Sequence, residues 1–167
     1  MKIRPATIAD VPELVSLNRD VQRMHADAFP SRFRKDARDA EVADAFLDTI
    51  RLETSYWLVA EEGSVAGFLS SEFRQRDESW FMEPHRVCYL AGIVVSPEFR
   101  RRGIARALFE ELKAEANRRN VAQVDLDVWS FNEEAKETFE KLGFHRIMER
   151  MTAAAATPDK RRKGNAD

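Results

Sequence analysis

The chain contains little of what several large classes of protein need. Its 167 residues include a single cysteine, so no disulfide can form within the chain. Because Cys88 lies in the apolar segment 87–90, we expect it to be a small core residue. A nucleophilic role for Cys88 is less expected, because no arrangement of a His with an Asn or Asp points to it. No apolar run approaches the ~18 residues of a membrane span, and residues 1–5 lack the apolar region of a signal peptide. We therefore expect a cytoplasmic protein that binds no membrane.

A large excess of charge of either sign is also missing. The formal net charge is −2, so no overall attraction draws the chain to nucleic acid or acidic lipids. The basic run 160–163 is short and is interpreted as part of a solvated tail, so no nucleic-acid partner is expected. With 44% hydrophobic and 34% charged residues, the composition is that of a globular protein. The length predicts one domain, residues 1–152, and a disordered tail, residues 153–167.

The order of the predicted elements indicates an α/β or α+β fold. A capping box at Thr7 begins an early helix that Phe29-Pro30 breaks, and a second helix covers residues 40–52. A meander of strands follows, and then strand, helix, strand, helix and strand. The predicted strands are 2–5, 56–60, 65–73, 87–95, 121–129 and 144–151, and the two later helices cover 103–119 and the turns up to Gly143.

The most informative stretch runs from Ile93 to Leu108. An apolar strand stops at Ser96-Pro97, a basic turn follows, and an amphipathic helix begins. The first N–H groups of a helix have no partner within it, and the helix dipole places partial positive charge at that end. Gly103 and Ala105 leave the backbone open to a ligand. Cations here oppose the dipole unless an anion binds, and four arginines lie around this point: Arg100, Arg101, Arg102 and Arg106.

Two common nucleotide sites fit this turn poorly. A P-loop is disfavoured because no Gly-Lys-Ser/Thr follows the turn. A dinucleotide-binding fingerprint is disfavoured because Gly103 is its only matching glycine. A phosphate site for some other nucleotide stays open.

A second segment, residues 132–144, predicts a capped amphipathic helix. Asn132 is a suitable N-cap, and Glu137 and Lys141 form a favourable i,i+4 pair. Gly143 suits the position just after the last turn. On its own this is an ordinary surface helix, and its position after the basic turn gives it more meaning.

Together the two segments resemble the GNAT superfamily of acetyl-CoA-dependent N-acetyltransferases. The family's pyrophosphate loop reads Arg/Gln-x-x-Gly-x-Gly/Ala, which residues 100–105 match. Its later segment, Asn-x-x-Ala-x-x-x-Tyr-x-x-x-Gly-Phe, is matched by Asn132, Ala135, Gly143 and Phe144. The resemblance spans roughly residues 3–148. It implies a mixed central sheet of about six to seven strands with splayed central parallel strands, flanked by about four helices.

The resemblance also implies acetyl-CoA as cosubstrate, without a metal. The pantetheine arm would pair like an added strand with the backbone of Ile93, Val94 and Val95. The N–H groups from Arg101 to Arg106, those of Gly103, Ile104 and Ala105 included, would surround the pyrophosphate. Asn132 would lie near the pantetheine or the thioester, with Phe139 in the same segment. An N–H near Val94 or Val95 would polarise the thioester carbonyl.

One departure from the family pattern concerns the leaving group. The family commonly has a Tyr seven residues after the Asn as general acid, and this chain has Phe139, whose ring cannot donate a proton. A CoA thiolate needs little help at neutral pH because its pKa is not far from that of cysteine. Two functions therefore stay open. One is acetyl transfer to a primary amine by direct attack in a ternary complex, and the other is a CoA-binding sensor or interaction module.

The general base has several candidates. Some family members carry a carboxylate four residues before the position of Ile93, where this chain has Tyr89. Glu72, on the preceding strand, and Asp127 are alternatives. For each of them a structural role stays open, as does deprotonation of the amine through water.

The acceptor itself cannot be read from the sequence. In the family the two early helices wall the acceptor site, so His25 is either a substrate contact or a structural residue. Trp80-Phe81-Met82 is apolar within a charged connection and is interpreted either as a homodimer contact or as local packing. Small polyamine-like or antibiotic-like amines, amino acids and protein amines all stay open.

Overall fold

The computed structural model describes residues 1–153 and 155, and within them the chain forms one five-stranded sheet and four α-helices. Most of the predicted tail therefore lies outside the described residues. The strands are β1 (Lys2–Pro5), β2 (Ser55–Glu61), β3 (Val65–Arg76), β4 (His85–Val95) and β5 (Val124–Asp125). The helices are α1 (Val11–Ala28), α2 (Asp39–Ile50), α3 (Ile104–Arg118) and α4 (Glu133–Leu142). The mixed α/β class and the four helices are confirmed.

The strands lie in the sheet in chain order. Pairs β1–β2, β2–β3 and β3–β4 are antiparallel, and β4–β5 is parallel. The antiparallel neighbours β2 and β3 are joined by a tight turn in which Gly63 has φ +83°. That left-handed conformation suits a residue without a Cβ.

Helices cover both faces of the sheet. On one face, α3 packs Leu108 and Leu112 on a core that continues through the sheet residues Leu58 and Leu69. On the other face, Leu14 of α1 packs with Trp57, Val59 and Phe68, and Phe46 of α2 closes over them. This burial explains why β2 and the first half of β3 are apolar with little alternation.

The prediction of six to seven strands was wrong, because residues 1–153 and 155 form five. The predicted strand 121–129 reduces to Val124–Asp125, which pair with Cys88 and Tyr89. Val121 follows the end of α3 instead, and its N–H caps the helix by donating to the Ala116 carbonyl. The predicted strand 144–151 does not form: a two-residue β5 offers too short an edge to pair with, and residues 145–151 are exposed.

Beyond Tyr89, strand β4 separates from β5 and stays paired with β3. In the pairing with β3, Ser70 lies opposite Gly92 and Ser71 opposite Leu90, so Ala91 is an extra, bulged residue. Within the described chain, no strand pairs with β4 beyond Tyr89 on the β5 side. The end of β4 therefore has an open edge, which is the separation expected of the two parallel strands.

Candidate functional site

The loop between β4 and α3 has an unusual backbone. A 3-10 turn covers Pro97–Phe99, and the Arg100 N–H closes it by donating a hydrogen bond to the Pro97 carbonyl. Arg101 has φ +61° and Gly103 has φ +81°, both left-handed. A Cβ built at Gly103 meets no heavy atom within 4 Å, so the glycine faces open space. The loop thus presents bare backbone on its outer side.

Backbone donors collect at this loop without protein acceptors. The first hydrogen bond of α3 runs from the Ala107 N–H to the Gly103 carbonyl, 3.0 Å from N to O. No described residue accepts from the N–H groups of Arg101 through Arg106, and no side chain caps the helix. Six consecutive donors at the positive end of a 15-residue helix form a cradle for an anion.

The arginines of the loop differ in their contacts. Arg100 bonds weakly to the Val95 carbonyl and to Glu134 of α4, each at 3.4 Å. Arg102 lies 3.7 Å from Glu62, with its guanidinium over the Phe99 ring. Arg106 donates to the Lys141 carbonyl at 3.3 Å, and Arg101 makes no ion pair within the described chain. All four are exposed and stay available to an anion.

The open edge of β4 presents peptide groups beside the cradle. The Ser96 N–H donates to the Ala66 carbonyl of β3. Because peptide groups alternate along an antiparallel strand, Val94 also faces β3, while Ile93 and Val95 face the open edge. The Arg100 contact with the Val95 carbonyl agrees with this direction. A ligand can therefore pair with Ile93 and Val95 as an added strand would.

Helix α4 borders the same gap. Asn132 caps it by accepting from the Ala135 N–H at 3.2 Å. Gly143 ends it with φ +101°, as predicted for this glycine. Phe139 packs on the core of the α3 face and contacts Phe144 edge-on, with ring centroids 5.7 Å apart. The ring at the family's Tyr position is therefore also a packing residue.

The three candidate bases form one cluster with Arg74. Glu72 and Tyr89 lie opposite each other on β3 and β4. The Arg74 Nε donates to Glu72 at 2.8 Å, and its guanidinium lies 3.9 Å from the Tyr89 ring centroid. The Tyr89 hydroxyl donates to Asp127 Oδ2 at 3.1 Å. Burial first, then the charge of Asp127, raises the pKa of Tyr89, so the phenol is a donor rather than a base.

A group of aromatic side chains comes from two distant segments of the chain, one of which follows Asp127 in the β5–α4 loop. We call it the aromatic patch, and its members are His25, Phe29, Phe33, Trp129 and Phe131. It joins the end of α1 and its following loop to the loop between β5 and α4. The only signal in the sequence was two short aromatic-rich segments about 100 residues apart, and tertiary structure alone brings them together.

His25 takes part in this patch as a ring with a defined proton. Its Nδ1 lies 2.8 Å from the Val21 carbonyl oxygen. Because a carbonyl oxygen accepts only, Nδ1 carries the proton, and in the neutral ring Nε2 holds the lone pair. The His25 ring lies 5.0 Å from that of Phe33. The contacts with Val21 and Phe33 support a structural role for His25, and its contact with substrate stays a prediction.

The apolar triplet 80–82 lies on the connection between β3 and β4. The exposed fraction is 94% for Trp80 and 67% for Phe81, and the two rings contact each other at 4.8 Å. Neither belongs to the two core clusters, so local packing does not account for them. The homodimer contact stays a prediction.

Neither the thiol of Cys88 nor the acidic and imidazole side chains of the described residues form a second reactive site. Cys88 is buried, which raises the pKa of its thiol to about 11. Across residues 1–153 and 155, no group of three or more His, Cys, Asp or Glu side chains is arranged to hold a metal ion. In the same part of the chain, each helix is too short or too polar to cross a membrane.

Comparison with known proteins agrees with this arrangement. The model of the acetyltransferase (GNAT) family matches residues 18–144, and the chain belongs to that family. No curated protein matches the chain.

Solved structures with the same fold cover nearly the whole chain. A tetramutant of the BH1408 protein from Bacillus halodurans is 24% identical, with TM-score 0.84 over 92% of this chain and 99% of that one. The aminoglycoside N-acetyltransferase AAC(6')-Iy in complex with CoA is 18% identical, with TM-score 0.70 over 92% and 93%. A predicted acetyltransferase with acetyl-CoA from Clostridium acetobutylicum is 21% identical, with TM-score 0.70 over 92% and 95%. At these identities the likeness is one of fold.

Proposed function

We propose that this chain is an N-acetyltransferase that moves the acetyl group of acetyl-CoA to a primary amine by direct attack in a ternary complex. The observation that carries the proposal is the row of six N–H groups at the start of α3, which have no acceptor among the described residues and lie beside the open edge of β4. An anion site next to an unpaired strand edge suits a pyrophosphate attached to an amide-containing arm. Two solved structures of this fold hold CoA or acetyl-CoA.

The residues of the chain divide the binding between them. The N–H groups from Arg101 to Arg106 would hold the pyrophosphate, with the exposed guanidinium groups adding charge-assisted bonds. Ile93 and Val95 would pair with the pantetheine amides through the peptide groups at the open edge. Acetyl-CoA, when bound, supplies a thioester whose carbonyl carbon an amine can attack.

Strand β4 also offers a donor for the carbonyl oxygen of the thioester. Of the two candidates, Val94 bonds to β3, whereas the Val95 N–H is directed to the open edge. The Ile93 N–H is directed to the open edge as well, and it lies further from the cradle than Val95, on the side of Tyr89 and Asp127. Because the thioester follows the amides of the arm, we assign the polarising donor to Ile93 and the first contact with the arm to Val95. As the amine attacks, negative charge develops on the carbonyl oxygen of the thioester, and an N–H group aimed at that oxygen stabilises it. A donor fixed in place before the reaction has its largest effect on such developing charge.

The proton of the attacking amine needs an acceptor, because a primary amine is mostly protonated at neutral pH. Among the three candidates, Glu72 is held by Arg74 and Tyr89 is a donor. Asp127 keeps one carboxylate oxygen, Oδ1, without a protein donor in the described chain. We therefore propose that Asp127 takes the proton, directly or through water, while Tyr89 orients it.

The acetyl group passes without an enzyme-bound stage in this proposal. Cys88 is the only thiol in the chain, and it is buried with its pKa raised to about 11. A thiol in that state is a weak nucleophile at neutral pH. Direct attack by the amine agrees with these properties.

A CoA-binding module with weak or no catalysis is the second candidate, and Phe139 is the observation that favours it. The decisive experiment mixes the full chain with acetyl-CoA and a panel of primary amines and follows release of free thiol. Amine-dependent release supports the enzyme. Tight acetyl-CoA binding in calorimetry with no release above background would contradict the enzyme and leave the module.

The role of Phe139 has its own test. In Phe139→Tyr we expect kcat to change less than roughly 3-fold, because the thiolate leaves without an acid and the ring packs against Phe144. A rise of more than roughly 10-fold would mean that protonation of the thiolate limits the native chain.

Self-association through the triplet 80–82 completes the proposal. Trp80 and Phe81 expose a contiguous apolar surface, which is typical of an interface. Sedimentation of the full chain and of the Trp80→Ser, Phe81→Ser double variant tests it. A dimer that the double variant loses supports the contact, and a monomeric native chain contradicts it.

A further inference from the structure

The aromatic patch is not part of either core. None of its five rings is fully buried, and none belongs to the two clusters that pack the sheet against the helices. Its rings contact one another instead, with Phe33 edge-on to Trp129 at 5.0 Å and Phe29 stacked on Phe131 at 6.2 Å. Half-exposed rings outside a core still leave apolar faces in contact with water.

The patch lies next to the groups that the proposed reaction uses. Trp129 is two residues from Asp127, and its carbonyl accepts from the Asn132 N–H at 2.9 Å. The opposite side of the patch comes from α1 and the loop after it, and α1 also contacts β4. The rings therefore lie on the segment between Asp127 and the cap of α4, with α1 and the loop after it on their other side.

The charges around the patch limit what it can bind. The guanidinium of Arg32 lies 5.9 Å from the ring centroids of both Phe29 and Trp129, and Arg32 makes no ion pair within residues 1–153 and 155. Its neighbours Arg34 and Lys35 are paired with carboxylates. The patch thus carries one uncompensated positive charge, which repels a polycationic acceptor. A neutral, planar group is compatible with this charge.

Resting on the function proposed above, we propose that the acceptor is an arylalkyl amine whose ring packs on the exposed faces of Phe29, Phe33 and Trp129, beside Arg32, while its amino group reaches Asp127. The ring of the acceptor makes apolar contact with the patch, and the guanidinium of Arg32 borders that contact. A short alkyl linker carries the amine from Trp129 to a carboxylate two residues away. The patch selects the acceptor, and the β4 edge and the α3 cradle hold the acetyl donor.

The test compares three amines by thiol release: 2-phenylethylamine, n-butylamine and spermidine. We expect kcat/KM for 2-phenylethylamine to exceed the other two by at least ~10-fold, the scale of discrimination by an apolar pocket. In Trp129→Ala this preference falls to less than ~3-fold, mainly through KM for the aryl amine. The Trp129→Phe variant restores most of it.

Controls separate recognition from folding. Leu52→Ala removes an exposed apolar side chain just after α2 that takes part in none of the proposed contacts, and keeps the native preference. Phe33→Leu keeps apolar volume without a ring and reduces the preference even where the melting temperature is unchanged. Acetyl-CoA affinity, measured by calorimetry, stays the same in each variant.

The outcomes are distinguishable from failure of the proposed function. If no amine causes thiol release while acetyl-CoA binds, the enzyme proposal itself fails. If thiol is released with spermidine or n-butylamine as readily as with 2-phenylethylamine, or if Trp129→Ala lowers only the melting temperature, transfer stands and the aryl acceptor is overturned.

Discussion

The hydroxyl of Tyr89 donates a hydrogen bond to Oδ2 of Asp127 across 3.1 Å. Tyr89 is the last residue of β4 that pairs with β5, and Asp127 follows β5 by two residues. The bond therefore joins the two strands at the point where they separate. Because burial and the Asp127 charge raise the pKa of Tyr89, the phenol stays protonated at neutral pH and holds the carboxylate at the mouth of the gap.

Removal of this carboxylate should slow transfer. In Asp127→Asn we expect kcat/KM to fall by roughly 100-fold, the lower range for loss of a general base, with partial recovery at high pH where more amine is unprotonated. In Tyr89→Phe the fall should be roughly 5-fold, the cost of one hydrogen bond. Thiol release at a series of pH values measures both.

Two variants serve as controls for that assignment. Asp125→Asn changes a neighbouring carboxylate of β5 and should leave kcat/KM near native. Glu72→Gln breaks the contact with Arg74 and should cost less than Asp127→Asn. If kcat/KM fell further in Glu72→Gln than in Asp127→Asn, Glu72 rather than Asp127 would be the general base.

Acetyl-CoA affinity should depend on Gly103. A Val at this position has a left-handed backbone, which costs ~1–2 kcal/mol, and its side chain projects into the open space before the N–H groups of the cradle. We expect the Kd for CoA, measured by calorimetry, to rise at least ~10-fold. Gly63→Val is the matched control, since Gly63 has φ +83° and equally open space in the β2–β3 turn. Equal CoA affinity in the two variants would place the pyrophosphate elsewhere.

The close approach of β3 and β4 should make Gly67 intolerant of any side chain. A Cβ there would lie 2.6 Å from the Val94 carbonyl oxygen, which is backbone and cannot turn away. We expect Gly67→Ala to lower the free energy of unfolding by ~1–3 kcal/mol, as overpacking does. Gly92→Ala is the control, because its Cβ would meet the Ser70 Oγ at an ordinary 3.5 Å. Urea denaturation compares them, and equal losses would contradict the strand spacing.

Acid should weaken the link between β1 and the start of α1. Arg4 binds both carboxylate oxygens of Asp10 at 2.6 and 2.8 Å, and these bonds, with those from Thr7, lower the pKa of Asp10 to about 2. Because the pKa of Asp10 is lower in the folded state than in the unfolded chain, the Asp10 carboxylate stabilises the folded protein at pH values above about 4. This stabilisation is lost as the pH falls from about 4 towards 2. We expect a contribution of roughly 2 kcal/mol at pH 7.

The Asp10→Asn variant checks this value by urea denaturation at pH 7 and pH 3. It should be less stable than the native chain at pH 7, and the difference should shrink at pH 3. Asp39→Asn breaks the exposed pair with Arg19 and should change little at either pH. A difference that is independent of pH would mean that Asp10 acts by packing rather than by charge.

Local chemistry made much of the fold predictable. The basic loop that opens α3, the Asn132 cap and the Gly143 helix end all formed as expected. Each depends on residues within a few positions of one another. The strands at 121–129 and 144–151 were wrong because alternation shows which face a strand would bury and not whether a neighbour is there to pair with it.

The sequence by itself indicated the family and the loop that leaves N–H groups without acceptors at the start of α3, because helix N-termini, left-handed glycines and arginines act over a few residues. Only the tertiary structure decided the rest. The bulge at Ala91 directs Ile93 and Val95 to the open edge, since one extra residue reverses the alternation of peptide groups. Chain packing also brought Glu72, Tyr89 and Asp127 into one cluster and assembled the aromatic patch from segments about 100 residues apart. These contacts depend on long-range burial, which no local pattern encodes.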